Sequence, residues 1–249
     1  MKKRLYFLIF IFILSLILKT GISQVKAANN NKEKVVFLTF DDGPSPNNTP
    51  KILKILKENG VKASFFVIGA LGENNPQIIK KMYSEGMTIL PHTYSHDYKA
   101  MYSSVDNYFQ DLDKCIKVIN NLTGKDYYTY TRLPGGSDNQ VSNGEILRTI
   151  RNKLNAKGVD YIDWNVSSGD AEGETVAVNV LNHNIKNGCN NTNLAVILMH
   201  DSYYKSTTVE SLDSIIKDLK AKGYTFKTLE EMTNSERRTM IRMGIVNRR

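Results

Sequence analysis

Cysteine, histidine and tryptophan are all scarce in this 249-residue chain, which has two cysteines, four histidines and one tryptophan. Two cysteines, Cys115 and Cys189, exclude a fold that depends on a disulfide framework; they could pair, but two free buried thiols is the simpler expectation. Neither an internal repeat nor a low-complexity tract occurs, so the chain reads as one domain with short ends. Acidic residues are missing from residues 1–27, which carry five basic ones. Without that segment the net charge falls from +8 to about +3, with 28 basic against 25 acidic side chains. Much of the remaining excess sits at Arg237, Arg238, Arg242, Arg248 and Arg249, in a basic tail, 233–249, expected to be solvated and frayed. The high isoelectric point is therefore no argument for a nucleic-acid partner.

What is present begins with Met1-Lys2-Lys3-Arg4 and an apolar run from Leu5 to Leu18 broken by Ser15. Fourteen helical residues cover about 21 Å, short of the ~30 Å hydrocarbon core, so this is the pattern of a secretory signal. Val25-Lys26-Ala27 offers small residues for cleavage, and an uncleaved anchor is the alternative. Residues 1–27 are thus read as signal, 28–34 as a linker and 35–232 as the catalytic domain. No further membrane-embedded part is expected, and the site lies outside the cytoplasm, secreted or at the wall or membrane surface.

Short β-branched runs alternate with amphipathic helical stretches through the domain, the signature of an α/β fold with a largely parallel sheet. Strands are expected at 35–40, 63–68, 87–90, 128–132, 161–166, 194–199 and 225–228. Val105, Phe109, Leu112, Ile116 and Ile119 give one helical face, Val209, Leu212, Ile215, Ile216 and Leu219 another. Several strands end in polar clusters, and the carboxyl ends of parallel strands converge on one mouth.

Thr39-Phe40-Asp41-Asp42-Gly43-Pro44 places two carboxylates at a strand end, although Asp-Asp-Gly-Pro is also ordinary turn chemistry. His92-Thr93-Tyr94-Ser95-His96 has two histidines four apart, on one face if the segment is a helical turn, a spacing that grips a metal ion. A zinc protease of that spacing needs Glu after the first histidine; Thr93 stands there instead. His200 ends the strongest apolar strand, placed to act as an acid or base. Arg132-Leu133-Pro134-Gly135-Gly136 offers a cation able to orient a carboxylate and a bare backbone able to meet an oxyanion. Asp163, Trp164, Asn165 and Asp170 follow in a polar stretch, where Trp164 suits either a core or a sugar-stacking position.

In this order the segments resemble the polysaccharide deacetylase (NodB-homology) family, carbohydrate esterase family four, over residues 35–232. The resemblance implies a distorted (β/α) barrel of one domain. It implies metal ligands Asp42, His92 and His96 for zinc, or cobalt or another divalent ion, and Asp41 as general base oriented by Arg132. It further implies the Gly135 amide at the oxyanion, His200 as general acid and Leu198 on the acetyl pocket. Ser167 and Ala171 fall where the family often has an aspartate that tunes the histidine and a second tryptophan; Asp163 or Asp170 would take over the tuning. Pro91 precedes His92 where Asn is common. The implied reaction is hydrolysis of N-acetyl groups of amino sugars in a cell-wall polymer such as peptidoglycan, or in chitin-like oligomers. The rivals are an O-acetyl xylan esterase and a catalytically silent sugar-binding relative. A glycosidase is disfavoured, because its carboxylates must flank a glycosidic bond.

Overall fold

The computed structural model describes residues 33–125 and 128–248; the expected signal and most of the linker lie outside them. Among the described residues no helix is long and apolar enough to cross a membrane.

The strands are β1 (Lys34–Gly43), β2 (Ser64–Val67), β3 (Thr88–Pro91), β4 (Tyr130–Thr131), β5 (Asp160–Tyr161), β6 (Val166–Ser167), β7 (Leu194–His200) and β8 (Tyr224–Phe226). They pair in parallel in the order β3-β2-β1-β7-β6, with β8 on the start of the β1 edge whose end carries β2. A second parallel pair, β4-β5, is stitched to β3 where the Thr131 hydroxyl donates to the Pro91 carbonyl (2.9 Å). The expected strand at 161–166 is in fact two short strands, β5 and β6, belonging to different sheets. Between them the Ile162 and Asp163 carbonyls turn to the Arg132 guanidinium and the Asn165 side chain bonds the Leu194 and Val196 backbone, which interrupts the regular ladder.

Period-two alternation along β1 separates two cores. Val36, Leu38 and Phe40 pack outward with Ile52, Leu53 and Leu56 of helix Thr49–Glu58 and Leu212, Ile215 and Ile216 of helix Ser206–Ala221. Val35 and Phe37 face the interior with Phe66, Leu90, Ile162 and Val196. Continued along the strand, that inner face presents Thr39 and Asp41, so the floor of the barrel is apolar and its mouth polar. A third core joins helices Val105–Thr123 and Gly144–Ala156 through Leu112, Leu133, Ile150 and Tyr161.

As far as Arg248, the last described residue, the basic tail is not frayed. Residues Asn234–Arg242 form a helix opened by a reciprocal capping box between Thr233 and Glu236. Met240, Ile245 and Val246 are fully buried in the inner core, and Arg237 holds Asp160 through two nitrogens. The arginines that dominate the tail hide these apolar residues from a reading by charge. Cys115 and Cys189 are both buried and unpaired.

Candidate active site

Asp41 and Asp42 are neighbours on a strand, and an unbroken strand would aim them to opposite faces. The register of β1 against β2 shifts between Asp41 and Gly43, so Asp42 is a bulge residue, with φ 70°. The bulge turns its carboxylate to the same side as that of Asp41. Gly43 is required by close approach: a Cβ there would lie 2.1 Å from a carboxylate oxygen of buried Asp201.

The histidines reach Asp42 by a loop, not by the helical turn expected from their spacing; the chain leaves β3 at Pro91 and no helix begins before Tyr98. Thr93 and His96 both have positive φ, 71° and 54°, and for a β-branched residue that conformation is strained. Backbone hydrogen bonds from Gly69 to Thr93 O and from Ala70 to Tyr94 O, with Asp111 accepting from Ser95 N, hold the loop in place. His92 Nδ1 lies 2.7 Å from the Arg132 carbonyl, which can only accept, so Nδ1 carries the proton and the Nε2 lone pair is free. Burial pushes His92 down to about 4, against the raising effect of Asp41, so it is neutral at physiological pH.

Asp42 Oδ1 lies 3.1 Å from His96 Nε2 and 3.5 Å from His92 Nε2, yet accepts no well-formed hydrogen bond. Burial alone would raise the Asp42 carboxyl, but His96, His92 and His200 hold it well below the usual carboxylate range. One donor atom from each of Asp42, His92 and His96 falls within 4.8 Å of the others. A buried carboxylate oxygen without a hydrogen-bond partner, gathered with one nitrogen from each of two imidazoles, is a donor set that fits a divalent metal ion.

Asp41 sits beside this triad. Fully buried Arg132 donates from one terminal nitrogen to Asp41 Oδ1 (2.7 Å) and the Thr39 hydroxyl (2.9 Å). Its remaining donors meet the Ile162 carbonyl (2.9 Å) and the Asp163 carbonyl (3.2 Å), and the guanidinium lies 4.2 Å from the Phe66 ring centroid. Oδ1 of Asp41 is thereby fixed, and Oδ2 faces the site 3.8 Å from His92 Nε2.

Opposite Asp41 in register, His200 ends β7. Its Nδ1 lies 2.8 Å from Asp170 Oδ1, while Asp170 Oδ2 accepts from His200 N (2.7 Å) and the Thr208 hydroxyl (2.8 Å). Burial lowers the imidazole, but the Asp170 hydrogen bond and charge outweigh it and push it up to about 9. His200 is therefore an imidazolium at neutral pH.

Asp163 is not the partner of His200, a correction to one of the two options the sequence left. Its carboxylate accepts from Ser137 N (2.9 Å) and the Ser137 hydroxyl (2.5 Å), with Arg248 Nε at 3.3 Å. It thus braces the Gly135–Ser137 turn, and burial raises its carboxyl. In that turn the Gly136 amide is engaged with Leu133 O (2.8 Å), whereas the Gly135 amide meets no acceptor among the described residues. Trp164 packs on Gly136, where a Cβ would lie 3.2 Å from the indole. Leu198 is buried, two residues before His200 on the same strand face.

Sequence reasoning missed several supporting groups. Asp201 carries a carboxyl pushed up to about 7 by burial and accepts from the Thr49 hydroxyl (2.5 Å). Buried Lys205 donates to the carbonyls of Asp170 and Gly173, both at 2.6 Å, and so holds the Asp170 turn. Tyr98 lies edge-on to His96, with ring centroids 5.1 Å apart. Adjacency to His200 could have flagged Asp201; no local pattern announces a buried lysine.

The model of the family described as Polysaccharide deacetylase matches residues 28–162. A peptidoglycan-N-acetylglucosamine deacetylase of Bacillus cereus is 37% identical over 217 residues, 84% of this chain and 72% of that protein. The peptidoglycan-N-acetylmuramic acid deacetylase PdaA of Bacillus subtilis is 32% identical, covering 82% of this chain and 73% of its own. The crystal structure of the catalytic domain of a peptidoglycan N-acetylglucosamine deacetylase from Eubacterium rectale superposes with a TM-score of 0.75 at 35% identity, covering 83% of this chain and 91% of that one. With the barrel and its mouth already in view, this chain belongs to the polysaccharide deacetylase family.

Proposed function

We propose that this protein is an extracytoplasmic, divalent-metal-dependent hydrolase that removes N-acetyl groups from the amino sugars of peptidoglycan, releasing acetate. The observation that carries the reading is the convergence of the Asp42-His92-His96 donors with an Arg132-clamped Asp41 on one side and an Asp170-paired imidazolium, His200, on the other. Extracytoplasmic action rests on the signal pattern in residues 1–27 and on the wall polymer named for the relatives.

A divalent ion held by Asp42, His92 and His96, zinc by the character of its donors, would polarise the acetyl carbonyl and acidify a water molecule. Asp41 accepts the water proton through Oδ2, because Oδ1 is engaged by Arg132. The Gly135 amide donates to the oxygen that gains charge as the carbonyl carbon becomes tetrahedral. His200 Nε2–H then protonates the sugar nitrogen as the C–N bond breaks, leaving acetate and a free amine. Trp164 and Leu198 exclude water beside the acetyl methyl.

The reading is tested by acetate release from peptidoglycan and from N-acetylglucosamine oligomers, with chelator and after zinc is restored. Release should vanish on chelation, return with zinc or cobalt, and be lost in Asp41→Asn and Asp42→Ala. Acetate from acetylated xylan alone would replace the amide reading with the ester one. Release that survives chelation would refute the metal assignment.

A further inference from the structure

A cavity of about 280 Å³ opens beside the triad, with Asp42 and His96 at its base, Pro44 and Leu71 on its walls and Tyr203 and Tyr204 at its rim. These tyrosines lie outside the chemistry described above, and their setting is unusual. Tyr203 is 70% exposed and Tyr204 39%. Their backbone is nonetheless fastened from three sides. Asn47 Nδ2 donates to Tyr203 O (2.7 Å) and Asn48 Nδ2 to Ser202 O (2.8 Å), while Lys205, next in sequence, is anchored on Asp170 and Gly173. Tyr204 meets the Tyr203 ring edge to face, with centroids 4.9 Å apart and planes at 90°, and the Lys205 ammonium lies 4.6 Å from its own ring centroid.

A bare aromatic ring on a secured loop loses little conformational entropy when something lies on it. The cavity beneath it is walled largely by apolar groups and opens directly into the metal site. The loop that follows His200, Ser202 to Tyr204, lines this cavity together with Asp42 and His96, so it borders one way out of the mouth for a polymer whose reacting sugar lies at the metal site. We infer that Tyr203, supported edge-on by Tyr204, is a stacking platform for the pyranose ring of the sugar next to the one deacetylated. It makes the enzyme prefer a polymer over a single amino sugar. This rests on the deacetylase reading and adds a specificity-determining residue to it. The C–H face of a pyranose is apolar and flat enough to cover a tyrosine ring, whereas a lone N-acetylglucosamine bound at the metal leaves Tyr203 bare.

The experiment is the ratio of kcat/KM for N-acetylglucosamine tetramer over monomer, measured with zinc-loaded full-length protein. Being internal to each variant, this ratio does not depend on the fraction of folded enzyme. In Tyr203→Ala the preference should contract about tenfold, with the loss in KM for the tetramer, and Tyr203→Trp should restore it. Tyr204→Ala should lower it by less, and Tyr83→Ala, an exposed tyrosine away from the cavity, should leave it unchanged. An active wild type whose ratio is the same in Tyr203→Ala overturns the platform and leaves the deacetylase reading intact. If the wild type releases no acetate from either substrate, the deacetylase reading falls. Calorimetric binding of the tetramer then decides the platform, which is overturned by equal affinity in wild type and Tyr203→Ala.

Discussion

Replacing Asp170 by asparagine keeps the shape of the side chain and removes the charge that holds His200 protonated. In the native protein burial pushes the imidazole down, and Asp170, hydrogen-bonded at 2.8 Å, more than reverses this to reach about 9 from an ordinary 6.5. Asp41 and Asp42 help less. With the charge gone burial remains, so the imidazolium of Asp170→Asn should titrate at or below 6.5, a displacement of more than two pH units. At pH 8 the acid form would fall from about 0.9 of the enzyme to about 0.03, roughly thirtyfold in kcat if His200 donates the proton to the amine. A bound divalent ion opposes the help from Asp41 and Asp42 in both enzymes alike, so the difference between them is the quantity to read. The assay is kcat against pH on an N-acetylglucosamine oligomer at saturating zinc, in which the alkaline limb should move acidward by more than two units. The same pair acts on stability. Because the folded pKa lies above the unfolded one, the contribution, on the order of 3 kcal/mol, is fully present below pH 6.5 and lost as pH rises through about 9. In chelated protein the melting temperatures of wild type and variant should therefore differ most near pH 6 and converge by pH 10. A uniform fall in kcat with an unmoved alkaline limb would refute the reasoning. Asp170 would then only hold the His200 backbone, and another group would be the acid.

Arg132→Ala leaves Asp41 buried without its cation and should cost about 3–5 kcal/mol in urea unfolding; Arg132→Lys should rescue little of it, because an ammonium cannot meet Asp41, Thr39, Ile162 and Asp163 together. Gly43→Ala drives a methyl against the buried Asp201 carboxylate and should cost about 1–3 kcal/mol while abolishing acetate release, since the bulge that aims Asp42 must shift. Ending the chain at residue 232 removes Met240, Ile245 and Val246 from the inner core, a loss of about 5–9 kcal/mol at 1.5–3 per side chain, so circular dichroism should show no cooperative unfolding. Zinc at a hundredfold excess over its Kd should stabilise the protein by about 2.7 kcal/mol in thermal melts, and His92→Ala or His96→Ala should erase most of that gain.

The residue types of the mouth were legible along the chain because each cluster follows an apolar strand, and the parallel order of those strands brings their ends together. Asp41, Asp42, His92, His96, Arg132, Gly135 and His200 could all be singled out in this way. The α/β class followed from alternation alone, since period-two and period-3.6 patterns impose opposite burial requirements on the chain. What the sequence could not determine was direction. The bulge that brings Asp42 round to Asp41 depends on β1 pairing with β2, and the positive φ of Thr93 that replaces a helical turn depends on hydrogen bonds from Gly69 and Ala70. The choice between Asp163 and Asp170 for His200 was made where 161–166 divides into two sheets, sending one carboxylate under the Gly135–Ser137 turn and the other under β7. The tail was misjudged for a related reason: its charge is a property of the sequence, but the inner core that takes up Met240, Ile245 and Val246 exists only once the strands have closed around it. Composition and periodicity set what each segment can bury and which groups it can offer; only the folded barrel decides which of those groups meet.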